Sequence, residues 1–301
     1  MKIIEINGLT KNYGEYKAVD NLCFSVESGQ MIGFLGVNGA GKSTTINMLS
    51  TILKQDGGEA YINGYCLGKD DRKIRESIGV VYQQNVLDER LSVKENIVIR
   101  AKLAGVEKMK LGERLEEIGK LLELDSIWNT NYKVLSGGQK RRCEIAAALI
   151  HAPKILFLDE PTTGLDPATR IEVWDAVKSL REDKNMTVFL TTHYMEEAAA
   201  ADRIVIIDKG IKRAEGTPYE LKLKYAKDRL KIYFDKEKAE EVLRSLHDCT
   251  YLLQSYGVEV TINDSFESIG IIMRIQHLIN GFEVIAGNMD DVFINVTKEN
   301  R

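Results

Sequence analysis

Cysteine is scarce in this chain, and long apolar runs are absent. The 301 residues include only four cysteines, Cys23, Cys66, Cys143 and Cys249, and no CxxC pair. This isolation argues against a metal cluster or a disulfide framework and favours buried free thiols. No apolar run approaches the roughly eighteen residues of a membrane span, and the start Met-Lys-Ile-Ile-Glu-Ile-Asn lacks the apolar core of a signal peptide. We therefore expect a chain that starts in the cytoplasm and does not cross a bilayer alone.

A strongly basic composition is also missing. Lysine and arginine total 41 against 45 aspartates and glutamates, which gives a formal net charge of −4 at pH 7. This balance argues against nucleic acid as a partner. The remaining composition, 44% hydrophobic and 29% charged, is typical of a globular protein long enough for one large domain and one small domain.

The glycine-rich stretch at residues 36–44 carries the strongest local signal. It reads Gly36-Val37-Asn38-Gly39-Ala40-Gly41-Lys42-Ser43-Thr44 and follows the apolar run at 31–35. Its glycines let the backbone curl so that N–H groups point at an anion, and a helix beginning near Lys42 adds a positive dipole end. Lys42 supplies charge for the β- and γ-phosphates, and Ser43 supplies a hydroxyl ligand for Mg²⁺. The pattern GxxxxGK[ST] therefore predicts a nucleotide site.

Two adjacent acids end a second apolar run. Residues 155–158 suit a central parallel strand buried on both faces, and Asp159 and Glu160 follow directly. Ligands of such sheets bind beyond the carboxyl ends of the strands, so both carboxylates should lie beside the phosphates. We expect Asp159 to hold Mg²⁺ through water and Glu160 to polarise an attacking water.

Three more residues are candidates for the same site because of their positions in the sequence. Gln83 follows the short apolar run 78–82 and can offer its carbonyl to Mg²⁺ or to water. His193 follows the apolar run 187–190 and is a candidate γ-phosphate contact or water-positioning group. Tyr13 lies in a predicted loop before the glycine-rich stretch, where its ring can stack on a purine. Taken alone, these three would be an ordinary loop glutamine, cap histidine and surface tyrosine.

Residues from about 90 to 150 are predicted to form a helical insert. Ser92 and Glu95 form a capping box, and apolar residues recur at spacings of three and four. Within the insert, Ser136-Gly137-Gly138-Gln139 opens a helix predicted over Lys140 to Ile150, whose start is a second anion site. Asp166 is a predicted N-cap, with Pro167 at the first helical position. Two phosphate-binding helix starts in one chain require either two nucleotides or a partner.

With these motifs in this order, residues 1 to about 225 resemble the ATP-binding subunit of an ABC transporter. Residues 36–43 resemble its Walker A loop, Gln83 its Q-loop glutamine, and Leu135 to Gln139 its LSGGQ signature. Asp159 and Glu160 match the Walker B acid and the catalytic glutamate, Asp166 the D-loop, and His193 the switch histidine. Tyr13 resembles the adenine-stacking aromatic. The departures are Val37, Tyr82 and Thr163, none of which removes a catalytic group.

The resemblance implies an α/β P-loop NTPase fold, with an antiparallel β subdomain and the helical insert, that hydrolyses ATP with Mg²⁺. The implied catalytic residues are Glu160, His193, Gln83 and Lys42, and the implied Mg²⁺ ligands are Ser43, Gln83 and Asp159. The implied nucleotide contacts are Tyr13, Gly36, Asn38, Gly39, Ala40, Gly41, Lys42, Ser43, Thr44, Ser136, Gly137, Gly138, Gln139 and Asp166.

The resemblance also implies partners. In this family two cassettes pack head to tail, and each ATP lies between one Walker A loop and the partner's signature helix. A homodimer, or a heterodimer with a similar cassette, is therefore expected on integral membrane permease subunits at the cytoplasmic face of the membrane. The segments His193 to Ala198, Ala201 to Ile204 and Ala214 to Pro218 are similar to those of bacterial drug and antibiotic exporters and of related lipid or polysaccharide exporters.

Two other functions are alternatives to the exporter. A soluble ABC ATPase of a cytosolic assembly, such as one for cofactor biogenesis, would also be a single compact cassette. A nucleotide-gated binding module without turnover is disfavoured by the intact Glu160 and His193. The transported substrate is not predicted, since this subunit would not touch it.

Residues 226–301 carry no catalytic motif. Their apolar patterns predict the order β-α-β-β-α-β, which suggests a small α+β domain of ferredoxin-like type. Met289 to Phe293 resembles the closing helix of exporter-type cassettes. The sequence leaves open whether this domain is regulatory, dimer-stabilising or merely structural.

Overall fold

The computed structural model describes residues 1–298, with only the backbone for residues 182–184. Its contacts divide the chain into two units, Met1–Glu215 and Gly216–Arg301. This division by contacts falls before the boundary at residues 225 and 226 that the sequence predicts. The helix Pro218–Tyr225 belongs with the second unit, where the Tyr225 carbonyl accepts a 2.7 Å hydrogen bond from Asn295 Nδ2. Among the described residues, no helix is both long and apolar enough to span a membrane.

The first unit contains ten strands and seven α-helices among its described residues. In chain order they are β1 Lys2–Tyr13, β2 Tyr16–Glu27, β3 Met31–Leu35, α1 Lys42–Leu49, β4 Gly57–Ile62, β5 Tyr65–Cys66, α2 Asp71–Ser77, β6 Ile78–Val81, α3 Val93–Leu103, α4 Lys108–Leu121, α5 Gly137–Leu149, β7 Ile155–Asp159, α6 Pro167–Lys184, β8 Thr187–Thr192, α7 Met195–Ala198, β9 Arg203–Asp208 and β10 Ile211–Gly216. A short 3-10 turn, Tyr132–Val134, precedes α5.

Two sheets form the body of this unit. The first is antiparallel, with strand order β2-β1-β4-β5, and the second has the order β10-β9-β3-β8-β7-β6. In the second sheet, the five strands β9, β3, β8, β7 and β6 run parallel to one another. The carboxyl ends of β3, β6, β7 and β8 therefore lie along one edge. This edge receives the glycine-rich loop and the polar residues that follow each strand.

The two sheets share one apolar core. The Phe189 ring lies between Phe34 and Phe157, with centroids 5.3 Å from each, and 6.1 Å from Phe24 of the antiparallel sheet. All residues of β3, β7 and β8 are buried. Continuous apolar runs suit such strands because helices or another sheet cover both of their faces.

The predicted helix caps at Ser92 and Asp166 are confirmed, whereas the start of α5 differs from the prediction. The Ser92 hydroxyl accepts the Glu95 N–H while the Glu95 carboxylate accepts the Ser92 N–H, so the capping box is complete. Asp166 caps α6 through the Thr169 N–H at 3.1 Å. α5 begins at Gly137, three residues before the helix predicted from Lys140, because Ser136 and Gln139 form another capping box.

Two sequence expectations differ from the structure. Tyr13 does not lie in a loop, because β1 continues to Tyr13 and pairs with Tyr16 across a tight hairpin. The expected buried thiol is present only at Cys143, and all four cysteines are free. Cys23 is exposed because it alternates on β2 with the buried Leu22 and Phe24, and so faces outward.

The second unit has a core of its own. It consists of α8 Pro218–Tyr225, β11 Asp228–Tyr233, α9 Ala239–Ser245, β12 Tyr251–Gln254, β13 Gly257–Ile262, α10 Ser265–Ile275, β14 Gly281–Ile285 and α11 Met289–Lys298, with a 3-10 turn at Lys236–Lys238. The antiparallel sheet has the order β12-β13-β11-β14. Leu230, Ile232 and Val260 on the sheet pack with Val242 of α9 and Ile271 of α10. The elements β11 to β14 follow the order β-α-β-β-α-β, and we retain the ferredoxin-like type as our proposal.

Replacing Phe189 by alanine is expected to lower the free energy of unfolding of the first unit by about 3–5 kcal/mol. The side chain is fully buried among three other aromatic rings, so its loss leaves a cavity that the parallel sheet cannot close. Denaturant titration followed by tryptophan fluorescence measures this, since Trp128 and Trp174 both belong to the first unit.

The matched control is Ile171→Ala on α6. Ile171 is 62% exposed, and its truncation should change the unfolding free energy by no more than about 0.5 kcal/mol. A Phe189→Ala variant as stable as this control would contradict the shared core.

Candidate active site

A cavity of about 570 Å³ lies at the carboxyl edge of the parallel sheet. Its volume falls within the range of small-molecule sites, about 300–1,000 Å³. It is lined by Tyr13, Tyr16, Ala18, Asn38, Gly39, Gly41, Lys42, Ser43, Thr44, Gln83, Glu160, Thr163 and His193. The structure thus brings together residues from the β1–β2 hairpin, the glycine-rich loop and the ends of β6, β7 and β8.

The glycine-rich loop takes backbone conformations that other residues rarely adopt. Gly39 and Gly41 have φ angles of 82° and 104°. A Cβ atom on Gly41 would lie 2.4 Å from the Ala18 carbonyl oxygen, so only glycine fits there. Gly41 is also the N-cap of α1 and offers no side-chain acceptor. The first N–H groups of α1 are therefore left for an anion.

Lys42 lies inside the curl of the loop and is nearly buried. Its Nζ donates to the carbonyl oxygens of Gly36 at 2.8 Å and Val37 at 3.3 Å. The same Nζ lies 3.2 Å from Glu160 Oε1. These contacts hold the ammonium group within the loop that the sequence predicts to cradle phosphates.

The carboxylate of Glu160 joins the segments of the site. Oε2 accepts hydrogen bonds from Thr163 Oγ1 at 3.2 Å and Gln83 Nε2 at 3.4 Å, and it lies 3.2 Å from His193 Nδ1. Glu160 has the left-handed φ of 46°, unusual for a residue with a side chain. Its backbone N–H is held by the carbonyl and hydroxyl oxygens of Thr191 at 3.1 and 3.0 Å. This bend directs a buried carboxylate toward the cavity.

Asp159 lies beside the start of α1. Its Oδ1 accepts hydrogen bonds from Thr191 Oγ1 at 2.6 Å and Ser43 Oγ at 3.3 Å. A carboxylate, a hydroxyl and the nearby Gln83 amide offer the oxygen ligands that Mg²⁺ prefers. The donor set of Ser43, Asp159 and Gln83 therefore fits Mg²⁺ held jointly with phosphate oxygens.

Two tyrosines flank the mouth of the cavity. Tyr13 and Tyr16 are 53% and 56% exposed, at opposite sides of the β1–β2 hairpin. The Tyr16 hydroxyl donates a 3.1 Å hydrogen bond to the Gly39 carbonyl, which ties the hairpin to the glycine-rich loop. Lys11 Nζ lies 5.8 Å from the centroid of the Tyr13 ring. The exposed face of Tyr13 is free to stack on a planar ring.

The signature segment does not line this cavity. The Ser136 hydroxyl accepts the Gln139 N–H at 3.3 Å, which closes the cap at the start of α5. A Cβ atom on Gly138 would lie 2.4 Å from Thr169 Cγ2, so the segment packs closely on the start of α6. Asp166, the cap of α6, is likewise outside the lining, and the Thr169 hydroxyl bonded to it lowers its pKa. Gly36 and Ala40 belong to the glycine-rich loop but do not line the cavity.

Sequence reasoning missed several residues of the site. Tyr16 and Ala18 were not singled out, because the extent of β1 and the hairpin register were unknown. Thr163 stands out in the sequence only as a departure from the family pattern, and Thr191 is not among the predicted site residues. A signal was available for Thr191, since hydroxyl residues at the end of a buried strand need a polar partner.

Comparison with known proteins places the chain beside ATP-binding cassettes. A family model described as ABC transporter matches residues 19–163. The daunorubicin/doxorubicin resistance ATP-binding protein DrrA of Streptomyces peucetius is 38% identical over 306 residues, covering 98% of this chain and 92% of that protein. The Nod factor export ATP-binding protein I of Rhizobium sp. (strain N33) is 40% identical over 219 residues, covering 72% of each. A dimeric ATP-binding cassette solved in a post-hydrolysis state with ADP and phosphate is 30% identical, with a TM-score of 0.64, covering 71% of this chain and 98% of that one.

Replacing Tyr13 by alanine is expected to raise the Kd for ATP by about threefold to tenfold, because a stacked aromatic pair contributes about 0.5–1.5 kcal/mol. Tyr13→Trp, which keeps an aromatic face, should bind ATP within about twofold of the parent. Fluorescence titration with an ATP analogue measures both values. Tyr219→Ala, at an exposed tyrosine of the second unit, is the control, and equal affinities for the two alanine variants would show that Tyr13 does not stack on the base.

Proposed function

The chain belongs to the ABC transporter family as an ATP-binding and ATP-hydrolysing subunit, and we propose that it drives export through separate membrane-spanning subunits. The observation that carries this proposal is the buried Glu160 carboxylate, which meets Lys42, Gln83 and His193 beside the glycine-rich loop. Export is supported by the name of one relative, a Nod factor export protein, and a drug or antibiotic as substrate class by the name of another, a daunorubicin/doxorubicin resistance protein.

Glu160 is our candidate for the general base of ATP hydrolysis. Its carboxylate is positioned by a constrained backbone and by donors from three other segments, so little reorganisation is needed when water enters. A carboxylate in this position orients the attacking water and accepts its proton. His193 and Gln83 contact the same oxygen and would hold the water and the γ-phosphate in line.

Lys42 links nucleotide binding to the ion pairing of the Glu160 carboxylate. The ammonium group lies 3.2 Å from Glu160 Oε1 and neutralises it. The β- and γ-phosphates of ATP carry more negative charge than one carboxylate and would compete for Lys42. Nucleotide binding then leaves the Glu160 carboxylate available to water, so the base becomes active only when its substrate is present.

Mg²⁺ would be held by Ser43, Asp159 and Gln83. When bound, it neutralises charge on the β- and γ-phosphates. The chain's own contribution is to present oxygen ligands at one edge: Thr191 fixes the Asp159 carboxylate, and the start of α1 fixes Ser43.

A second cassette is part of the proposal. Ser136, Gly137, Gly138 and Gln139 do not line the cavity of their own chain, yet they stand at a helix start suited to an anion. A head-to-tail dimer would place them on the ATP of the partner, as the resemblance implies. The related cassette solved with ADP and phosphate is a dimer, which supports the proposal of a dimer for this chain.

A membrane partner would dock on the helical insert. Leu103 at the end of α3 and Met109 in α4 are 77% and 95% exposed, and Ile99 of α3 is also exposed. Apolar side chains grouped on one subdomain are typical of a surface that another protein covers. The loop from Gln83 to Glu95 joins this surface to the active site, and coupling would run through it.

Replacing Glu160 by glutamine is expected to lower the rate of ATP hydrolysis by about a hundredfold or more, because the base is lost. ATP binding should be retained, so dimers held together by ATP accumulate. Steady-state turnover and analytical ultracentrifugation with ATP and Mg²⁺ measure the two effects. Lys42→Ala should instead weaken ATP binding and form no such dimer, and near-normal turnover of Glu160→Gln would refute the assignment of the base.

The transport role predicts that the tagged chain, expressed in its own host, is recovered with membranes and an integral membrane protein. Leu103→Glu should lower this recovery about tenfold, because a charge is placed in an apolar interface, while ATP affinity stays unchanged. Ile171→Glu, at an exposed position on α6, is the matched control. A chain found only in the cytosol with cytosolic partners would instead support the alternative, an assembly such as one for cofactor biogenesis.

A further inference from the structure

A buried carboxylate on α7 lies close to the active site but outside its cavity. Glu197 is 7% exposed and is not among the residues that line the cavity. Burying a carboxylate is costly unless hydrogen-bond donors satisfy it. Both oxygens of Glu197 accept hydrogen bonds, and both donors are hydroxyl groups. The identity of those donors indicates what the carboxylate does.

The two donors are threonines from different segments of the chain. Thr162 Oγ1 donates to Glu197 Oε1, and Thr192 Oγ1 donates to Glu197 Oε2 at 2.6 Å. Both threonines are buried. Thr162 lies two residues after Glu160, and Thr192 directly precedes His193. One side chain therefore joins the turn that carries the proposed base to the turn that carries the histidine.

The hydroxyl of Thr192 also fixes the backbone at His193. It accepts a 2.9 Å hydrogen bond from the Tyr194 N–H, while its own proton is directed to Glu197. A hydroxyl has a single proton to donate, so the carboxylate determines how this group is oriented. The Tyr194 ring in turn contacts the His193 ring, with centroids 4.2 Å apart. The residues on both sides of His193 are thus held in place.

The helix that carries Glu197 is packed on the central sheet. Met195 and Ala198 of α7 are buried. A Cβ atom on Gly33 of β3 would lie 3.5 Å from Ala198 Cβ, which is ordinary van der Waals contact. Because β3 leads into the glycine-rich loop, α7 and the nucleotide site share one support. Glu197 therefore holds the two turns from a fixed position.

The contact between the two turns is the one that the reaction needs. His193 Nδ1 lies 3.2 Å from Glu160 Oε2, and both residues lie just beyond the ends of their strands, β8 and β7. Residues outside a strand are not held by its ladder of hydrogen bonds and depend on other contacts. A displacement of about 1 Å at a catalytic group can lower the rate about a hundredfold.

We propose that Glu197 is a positioning residue for ATP hydrolysis, whose carboxylate bridges Thr162 and Thr192 and so sets the distance between Glu160 and His193. This inference rests on the proposed function, in which Glu160 is the base and His193 holds the attacking water and the γ-phosphate. Glu197 acts through the two threonines. Its length matters more than its charge, because one side chain must reach two hydroxyls at the same time.

The first test observes the His193 ring by NMR in the full-length chain without nucleotide, with histidine labelled with ¹⁵N. In the parent, Glu160→Gln should shift the side-chain nitrogen signals of His193, because the two groups are in contact. In Glu197→Ala, the same substitution should shift these signals by less than half as much, because the two turns are no longer joined. The His193→Ala variant identifies the signals among those of the four histidines.

Glu196→Ala, at the exposed neighbouring glutamate of α7, is the matched control and should leave the response of the His193 signals as in the parent. Equal shifts in the parent and in Glu197→Ala would overturn the proposal. The absence of any shift in the parent would also overturn it, because the contact that Glu197 is proposed to set would then be missing.

The second test compares turnover with ATP affinity. Glu197→Ala should lower kcat by about tenfold to a hundredfold, while the Kd for ATP changes by less than about twofold, because Lys42 and Tyr13 keep their contacts. Glu197→Gln, which keeps the length, should retain more activity than Glu197→Asp, which keeps the charge but is too short to reach both hydroxyls. More activity in Glu197→Asp than in Glu197→Gln would overturn the proposal, as would a loss of ATP affinity that accounts for the whole effect.

The two threonines provide a test that leaves Glu197 in place. Thr162→Val and Thr192→Val each break one side of the bridge without changing the shape of the side chain. If the bridge acts as a unit, the double variant should have a kcat within about twofold of the slower single variant. Single losses that multiply in the double variant, or normal turnover in both single variants, would overturn the proposal. Thermal unfolding identifies any variant that has lost its fold, and this pair decides the matter if Glu197→Ala is unfolded.

The outcomes also separate this inference from the proposed function. A parent chain without ATPase activity, or a Glu160→Gln variant with normal turnover, would count against the proposed function. The His193 signals require neither turnover nor a second cassette, so they would still show whether Glu197 sets the contact between Glu160 and His193.

Discussion

A buried carboxylate needs hydrogen-bond donors, and in this protein that need organises the whole edge of the parallel sheet. Glu160 directly follows strand β7 and is met by Lys42, Gln83 and His193, from segments far apart in the chain. Each segment arrives because its strand is a parallel neighbour in one sheet, so its carboxyl end lies at the same edge. The backbone bend at Glu160 is held by Thr191 of the next strand. The site is thus assembled by the same contacts that satisfy its buried charges.

The same need of buried charges for hydrogen-bond partners explains why α5 both begins at the signature segment and supports the loop at residues 82–87. Its first residue follows the cap at Ser136, whereas its buried face carries Arg141 and Glu144. Neither charge can remain buried without partners, and the backbone between Tyr82 and Leu87 supplies them. A loop whose ends are bound in this way is restrained by the helix, and Gln83 between those ends lines the cavity and contacts Glu160.

The limits of the sequence prediction follow from the same contacts. The charged run Lys140-Arg141-Arg142 has the composition of a solvated helix face, and no local pattern distinguishes the buried Arg141 from its neighbours. The contact of Tyr16 with Gly39 could not be predicted from the sequence, because it depends on the register of a hairpin. The second unit begins earlier than predicted because α8 packs on α11, from a distant part of the sequence. In each case the deciding partner lies far away along the chain.

The sequence by itself determined the glycine-rich loop, the strands that end in Asp159 and near His193, the helix caps at Ser92 and Asp166, and the order of the motifs. These features depend on backbone conformation and on the spacing of apolar residues, which are local properties. Only the tertiary structure decided that Glu160 meets Lys42, that Thr191 holds Asp159, and that the signature segment lies away from its own cavity. Those outcomes depend on strand order and on the pairing of buried charges between distant segments, neither of which is encoded in any short stretch of sequence.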